Sequence, residues 1–155
     1  MKVHSIMTRP PQTCRTDSTL AVASRRMKTT GCGMLVVLDS HGAVAGVITD
    51  RDVALAVGDS DRAPAVAAST VMAKPVHTCR PDDDLHAVLA RMAAARVRRL
   101  PVVDAEGDVK GVISIDDIIL WGVGRRGIGL HELTGALRAI HAPRSPRPEI
   151  EMPAF

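Results

Sequence analysis

Aromatic residues are almost absent from this chain of 155 residues, which has one tryptophan, one phenylalanine and no tyrosine. Proteins that hold single-stranded nucleic acid commonly stack the bases on aromatic side chains, so this scarcity disfavours that class of protein. The scarcity also limits how any base could be bound. A purine would have to lie between aliphatic side chains such as valine, isoleucine and methionine.

Long hydrophobic runs are missing as well. No apolar stretch approaches the roughly 18 residues that a membrane span needs, and residues 1–13 carry charges and prolines where a secretory signal would be apolar. The three cysteines, Cys14, Cys32 and Cys79, show neither an even-numbered framework nor the spacing of a metal site or redox pair. We therefore expect a cytoplasmic protein in a reducing compartment, without membrane contact.

Neither sign of charge dominates. The net charge is +3 with a pI of about 9.1, and the interspersed charges do not by themselves indicate nucleic acid. The six histidines lack metal-ligand spacing, and the chain has no glycine-rich phosphate loop, nucleophile elbow or Ser-His-Asp constellation. These absences predict no metal site, no required cofactor and no enzyme activity.

The chain does contain an internal repeat. Met7 corresponds to Met72, an offset of 65 residues (72 − 7), and this offset continues without a gap for more than forty positions. It aligns Pro10 with Pro75, Thr13-Cys14-Arg15 with Thr78-Cys79-Arg80, Leu20 with Leu85, Gly46-Val47-Ile48 with Gly111-Val112-Ile113, and Asp52 with Asp117. Chance does not produce such a register.

Each copy has the pattern of a strand, a helix, two strands and a helix. Asp17 and Asp82 are the expected caps of the two amphipathic helices. The predicted strands and closing helices are short strands near 12–15 and 77–80, hairpins of 34–38 with 44–48 and of 100–103 with 109–113, and helices over 50–57 and 115–121.

One unit of about sixty residues would be marginal alone. We therefore predict an α/β (α+β) fold in which two β-α-β-β-α repeats pack through their sheets about a pseudo-twofold axis. The predicted organisation is a first repeat over 1–61, a second over 62–122, and a C-terminal helix with an extended tail over 123–155.

The C-terminal segment is a different kind of sequence. Leu130, Leu133, Leu137 and Ile140 fall on one face of a helix predicted over 128–141. This apolar face must be buried on its own module, on a symmetry mate or on an unrelated partner. The prolines that follow predict an extended end.

The most informative pattern is Gly-x-x-Thr/Ser-x-x-Asp, which ends in Thr49 and Asp52 in one copy and in Ser114 and Asp117 in the other. The start of a helix after a strand attracts anions, because its first N–H groups lack partners. The hydroxyl can donate to a phosphate and the carboxylate can accept from two sugar hydroxyls, which suits a ribose phosphate. The same residues also fit a helix cap that needs no ligand.

A known family shares these features. The stretches Ile6-Met7-Thr8 and Leu100-Pro101-Val102-Val103-Asp104 and the two Gly-x-x-Thr/Ser-x-x-Asp patterns resemble the cystathionine-β-synthase (CBS) domain, and a tandem pair resembles a Bateman module. The resemblance covers residues 1–122. It implies a regulatory, generally non-catalytic fold that binds adenosine-containing ligands (AMP, ADP, ATP or S-adenosylmethionine) in two clefts between the copies.

The resemblance also implies roles for particular residues. Thr49 and Ser114 would face phosphate or ribose, while Asp52 and Asp117 would hold the ribose diol. The short strands around Thr13 and Thr78 would face the base.

Basic residues are placed differently in the two copies. Arg98 and Arg99 precede a strand in the second copy where the first has Gly33-Met34, and Arg51 lies where the second copy has Asp116. By the resemblance, arginines at such places reach phosphates. We therefore predict clefts of unequal charge, one of which binds nucleotide more tightly. The alternative is that Arg98 and Arg99 only face solvent.

Three functions follow from these patterns. The favoured one is a homodimeric module that senses an adenine nucleotide and signals to an effector protein that the sequence does not identify. The second is a ligand-independent dimeric scaffold in which the hydroxyl and aspartate only cap helices. The third and weakest is nucleic-acid association through Arg96, Arg98, Arg99, Arg125 and Arg126, for which there is no groove-reading motif.

Overall fold

The first repeat folds as the sequence predicts, into a small sheet with helices beside it. The computed structural model describes residues 1–59, 62–124 and 127–142. The elements of the first repeat are β1 (Thr13–Arg15), α1 (Leu20–Thr30), β2 (Met34–Leu38), β3 (Val44–Thr49) and α2 (Asp50–Asp59).

The second repeat follows the same order after a connecting segment that contains a short helix. Its elements are α3 (Ala68–Val71), α4 (Leu85–Ala95), β4 (Arg99–Val103), β5 (Val109–Ser114) and α5 (Ile115–Asp117), which continues as a π-helical turn over Ile118–Gly122. A C-terminal helix, α6 (Leu130–Ile140), completes the described fold. The mixed α+β class with two repeats and a C-terminal helix is thus confirmed. Within the described ranges, no helix has the length and apolar character needed to cross a bilayer.

The two sheets differ by one strand. In the first sheet β1 pairs in parallel with β2, which pairs antiparallel with β3. In the second, β4 and β5 form the equivalent hairpin, but only Cys79 forms a parallel bridge to Val102 where a short strand near 77–80 is predicted. Val36 donates its N–H to Gln12 in the first sheet. The equivalent residue is Pro101, which has no N–H, so this ladder loses a bond.

The expected caps of the first helix in each repeat are wrong by two residues. Thr19 caps α1 by accepting from the N–H of Val22 at 3.3 Å, and Asp84 caps α4 by accepting from the N–H of His86 at 3.0 Å. Asp17 and Asp82 stand earlier, in the turns that lead into the helices, because each helix begins only at the leucine that enters the core.

The two repeats exchange their leading segments. Val3 and Met7 are buried in the core of the second repeat, whereas Ala68 and Met72 pack on the core of the first. The exchange follows the offset of 65 residues, since Thr8 bridges to Val112 and Ala73 bridges to Val47. Neither core is complete without a segment that precedes the other repeat, so the repeats are interlocked about a pseudo-twofold relation.

The C-terminal helix packs on its own chain. Leu133, Ala136 and Ile140 are buried in the core beside α4, and Glu132 contacts Nδ1 of His86 at 2.9 Å. Leu130, which the sequence places on the apolar face, is 71% exposed because it stands at the first turn of α6, off the row that faces α4. The extended tail predicted after the helix lies outside the described residues.

The two buried thiols predict that the free energy of unfolding decreases at alkaline pH. Burial raises the pKa of the Cys14 thiol, and it raises the pKa of the Cys79 thiol to about 12, to which the carboxylate of Asp83 contributes. An unfolded chain releases these protons near the ordinary thiol pKa of about 8.5. Between these values the folded state holds more protons, so the free energy of unfolding should fall as pH rises from about 9 to about 12.

Denaturant unfolding at pH 8 and pH 10.5 checks this expectation. Tyrosine ionisation cannot contribute, because the chain has no tyrosine. The Cys79→Ala variant should be less stable at both values but should lose less stability between them. An equally steep loss in that variant would show that Cys79 does not cause it.

Candidate functional site

The two copies of the Gly-x-x-Thr/Ser-x-x-Asp pattern lie where a strand passes directly into a helix. Thr49 ends β3 and Asp52 lies in the first turn of α2, which we call the first junction. Ser114 ends β5 and Asp117 lies in α5, which we call the second junction. The offset of 65 residues therefore yields two equivalent local structures, one per repeat.

Reciprocal caps form at both junctions. At the first, Oδ2 of Asp52 accepts from the N–H of Thr49 at 2.8 Å and from its hydroxyl at 2.7 Å, and the Asp52 N–H donates to Thr49 Oγ1 at 3.3 Å. At the second, Oδ2 of Asp117 accepts from the N–H of Ser114 at 2.7 Å and from its hydroxyl at 2.6 Å. Capping therefore uses one oxygen of each carboxylate, and a ligand has only the other.

The remaining carboxylate oxygens are not equivalent. Oδ1 of Asp117 accepts a hydrogen bond from the hydroxyl of Thr8 at 3.3 Å. The residue equivalent to Thr8 is Ala73, which has no hydroxyl, and within the described part of the chain Asp52 forms hydrogen bonds through Oδ2 only. The first junction thus presents an open carboxylate oxygen, whereas the second does not.

Arg99 crosses from the second repeat to the first junction. The carbonyl of Gly33 accepts from the N–H of Asp50, so Gly33 lies against the start of α2. A Cβ placed on Gly33 would stand 3.7 Å from Nη2 of Arg99 and 3.2 Å from Oδ2 of Asp50. A larger residue than glycine would therefore crowd the space in which Arg99 meets the helix start. Met34, which is equivalent to Arg99, is buried.

The charges around the junctions differ accordingly. At the first junction the sequence places Arg51 between Asp50 and Asp52, and Nη2 of Arg99 and Oδ2 of Asp50 both lie close to Gly33. The second junction carries Asp116 and Asp117, and the carbonyl of Arg98 accepts from the N–H of Ile115 at 2.8 Å. The first junction therefore has the basic Arg51 where the second has the acidic Asp116.

The N–H groups at the start of α2 are less available to bind an anion than the sequence suggests. The first three N–H groups of α2 are already engaged, by the Gly33 carbonyl, by Oδ1 of Asp50 and by Oγ1 of Thr49. An anion at this position would be held mainly by arginine side chains. Arg51, Arg98 and Arg99 form no ion pair with any carboxylate in the described ranges.

Thr13 and Thr78 lie away from the junctions. The carbonyl oxygens of Thr13 and Thr78 accept from the guanidinium groups of Arg26 at 2.5 Å and Arg91 at 2.6 Å, respectively. Thr13 pairs with Val36 on the far side of β2 from Thr49. Their carbonyls are therefore occupied, and their hydroxyl groups remain for a ligand.

A hollow of about 350 Å³, which the sequence patterns do not predict, opens beside Asp52. Most of its wall is aliphatic and comes from α2 and the segment that connects the repeats: Leu55, Ala56, Ala63, Val66 and Val71. The spacing of the α2 residues signals this face, because Asp52, Leu55, Ala56 and Asp59 recur at helical intervals.

Other candidate sites receive little support. In the described ranges no three His, Cys, Asp or Glu residues come together in a way that could hold a metal ion. Of the arginines considered for nucleic acid, Arg96 ends α4 with a left-handed φ of 52°, and Arg125 and Arg126 lie outside the described residues.

With the geometry established, comparison with known proteins assigns the chain. Residues 3–59 and 68–124 each match the family model of the CBS domain. The chain belongs to the CBS-domain family. It is 33% identical to inosine-5′-monophosphate dehydrogenase of Mycobacterium leprae over 113 residues, which are 73% of this chain but only 21% of that enzyme.

Solved structures agree with this assignment. A conserved CBS-domain protein of unknown function from Thermoplasma acidophilum superposes with a TM-score of 0.76 at 24% identity, covering 90% of this chain and 75% of that one. The CBS domain pair of the protein MJ0100, solved with 5′-methylthioadenosine and S-adenosyl-L-methionine, has a TM-score of 0.71 at 25% identity. That alignment covers 77% of this chain and 94% of the other.

Proposed function

We propose that this CBS pair is a regulatory module that binds an adenine nucleotide at the first junction and signals its presence to a partner protein. The observation that carries the proposal is that groups from both repeats lie at the start of α2. No described residue donates a hydrogen bond to Oδ1 of Asp52, and the guanidinium of Arg99 lies close to the start of the same helix. The ligands of the MJ0100 pair, 5′-methylthioadenosine and S-adenosyl-L-methionine, support an adenosine-containing ligand.

The charges favour a phosphate-bearing ligand. Ribose hydroxyls would donate to Oδ1 of Asp52, while Arg99 and Arg51 would neutralise the phosphate through charge-assisted hydrogen bonds. S-Adenosylmethionine carries a cationic sulfonium instead, which two arginines would disfavour. We therefore propose AMP, ADP or ATP as the ligand and the first junction as the tighter site.

The base would lie in the aliphatic hollow beside Asp52. Because no aromatic residue is among those that line this hollow, the base would be held by aliphatic contacts, which Leu55, Val66 and Val71 supply. The second junction, with Ser114, Asp117 and Arg98, would form the weaker site of the pair. The hydroxyls of Thr13 and Thr78, which the family resemblance assigns to the base, lie away from both junctions. These roles extend the resemblance to the family onto the observed geometry.

Binding at the first junction provides a means of signalling. Asp52 belongs to the first repeat and Arg99 to the second, so a ligand held by both favours one arrangement of the two repeats. The ligand shifts the population toward that arrangement by its difference in affinity for the alternatives. The partner that responds would be a separate protein.

We also propose that the pair acts as a homodimer. Leu55 on α2 and Leu120 after α5 are equivalent in the repeat and are 56% and 68% exposed, and Trp121 is 66% exposed. Exposed apolar patches of this kind mark interaction surfaces. In a twofold dimer the same patch of each copy contacts the other, so these apolar side chains would be buried against those of the second copy.

Regulation without catalysis completes the proposal. CBS pairs are generally regulatory, and the match to the dehydrogenase spans about a fifth of that enzyme. We propose that this chain likewise requires no cofactor and has no enzyme activity of its own.

A thermal-shift experiment with AMP, ADP, ATP and S-adenosylmethionine tests the proposal. A nucleotide at one hundred times its Kd should stabilise the protein by about 2.7 kcal/mol. The Asp52→Asn variant retains a capping oxygen but loses the carboxylate charge, so it should lose the shift. The equivalent Asp117→Asn variant is the matched control and should keep it.

A ligand-independent scaffold is the second candidate, and the reciprocal caps favour it because they give both aspartates a structural role. It predicts no shift with any nucleotide. It also predicts that replacing either aspartate by alanine removes only a cap, which destabilises the protein by about 1 kcal/mol.

A further inference from the structure

The segments that precede the two repeats are held in the same way against the opposite repeat. Thr8 donates its N–H to the Val112 carbonyl at 2.9 Å and accepts from the Val112 N–H at 3.1 Å. Ala73 makes the equivalent pair with Val47, at 2.8 and 3.2 Å. The backbones of the two segments are therefore held equivalently. The side chains differ, since Thr8 has a hydroxyl and a methyl group that Ala73 lacks.

That difference changes the hydrogen bonding of the two aspartate carboxylates. The Thr8 hydroxyl reaches Oδ1 of Asp117 at 3.3 Å, while Oδ2 is taken by Ser114. Both oxygens of Asp117 are then engaged by the protein. The side chain of Ala73 has no donor, and the Ala73 N–H is bonded to Val47, so within the described residues no donor replaces the Thr8 hydroxyl at Asp52.

We propose that the residue at positions 8 and 73 determines which of the two junctions can hold a ribose diol. Thr8 closes the second junction, and Ala73 leaves the first open. The inference rests on the proposed function, because it assumes that the open carboxylate receives a ribose. It adds that unequal binding arises from the leading segments as well as from the arginines.

The size of the effect follows from the bond that must be displaced. A ribose hydroxyl can reach Oδ1 of Asp117 only after the Thr8 hydroxyl leaves it. A hydrogen bond to a charged acceptor at a partly exposed position should weaken ligand binding by about tenfold. The exchange of threonine for alanine also removes a methyl group beside the carboxylate, which acts in the same direction.

Calorimetry with adenosine and with AMP tests the inference. Adenosine has no phosphate, so its binding reports on the carboxylates without the contribution of Arg99. The Thr8→Ala variant should bind adenosine at the second junction about tenfold more tightly than the unmodified protein does. Thr8→Ser keeps the hydroxyl and should behave like the unmodified protein.

The converse variant and a site control make the result unambiguous. Ala73→Thr should weaken adenosine binding at the first junction by about tenfold, and Asp117→Asn should abolish the site gained by Thr8→Ala. If the unmodified protein binds adenosine at one site and neither Thr8→Ala nor Ala73→Thr changes that binding, this inference is overturned while the proposed function stands. If no variant binds adenosine or AMP at all, the proposed function itself fails.

Discussion

Replacing Arg99 by methionine, the residue at the equivalent position 34, should weaken AMP and ATP binding by about ten- to hundredfold. Arg99 is the cation that the second repeat contributes to the first junction. A hydrogen bond to a charged group contributes about 1.5–3 kcal/mol, and each 1.4 kcal/mol changes affinity about tenfold. Calorimetric titration of Arg99→Met with AMP measures the loss.

Two controls separate a loss of phosphate binding from a general structural effect. Adenosine, which lacks phosphate, should bind Arg99→Met about as well as it binds the unmodified protein. Arg98→Met changes an exposed arginine whose carbonyl lies at the second junction, so AMP affinity at the first junction should change little. Equal losses for adenosine and AMP would show that Arg99 supports the structure rather than the phosphate, and an unchanged AMP affinity would remove Arg99 from the site.

Replacing Leu120 by aspartate should convert a dimer into a monomer. Leu120 is 68% exposed beside Trp121 and is equivalent to Leu55 on α2, so a charge there would be buried in the proposed interface on both copies. An unpaired buried charge is strongly unfavourable. Light scattering coupled to size exclusion should report half the mass of the unmodified protein.

A matched control separates an interface effect from a general one. Val22 on α1 is also exposed, at 44%, but lies outside the pair of helices proposed to meet. Val22→Asp should leave the mass unchanged. A monomeric unmodified protein, or a Leu120→Asp variant that remains dimeric, would rule out this interface.

The repeat explains why most of the fold could be predicted from the sequence. Local periodicity and turn residues predict both hairpins and the amphipathic helices, and the two copies carry the same signals. The C-terminal helix is predicted from its own periodicity. The sequence-based prediction is wrong at positions where a single residue determines the local structure. Pro101 removes a strand bond that no periodicity reveals, and Thr19 and Asp84 rather than Asp17 and Asp82 cap the helices.

The candidate site was less predictable because it depends on contacts between repeats. The pattern that ends in Asp52 and Asp117 is visible in the sequence, but the identical caps hide the difference between their free oxygens. That difference comes from Thr8, which is 109 residues from Asp117 in sequence. The crossing of Arg99 to the first repeat likewise requires knowledge of how the interlocked halves pack.

The Leu130 error has a similar origin. Helical spacing places Leu130 with Leu133 and Leu137, but the helix begins at Leu130, and its first turn extends past the core. Ala136 takes part in the buried row instead, since a small residue allows α6 to approach α4. Periodicity defines a face, whereas the docking partner decides how much of it is used.

The most direct measurement is the stoichiometry of AMP binding to the unmodified protein by isothermal titration calorimetry. An open Asp52 carboxylate joined by Arg99, opposite an Asp117 carboxylate already engaged by Thr8, predicts one tight site per chain, which Asp52→Asn abolishes. Two sites of equal affinity, or a tight site that survives Asp52→Asn and disappears with Asp117→Asn, would contradict this account.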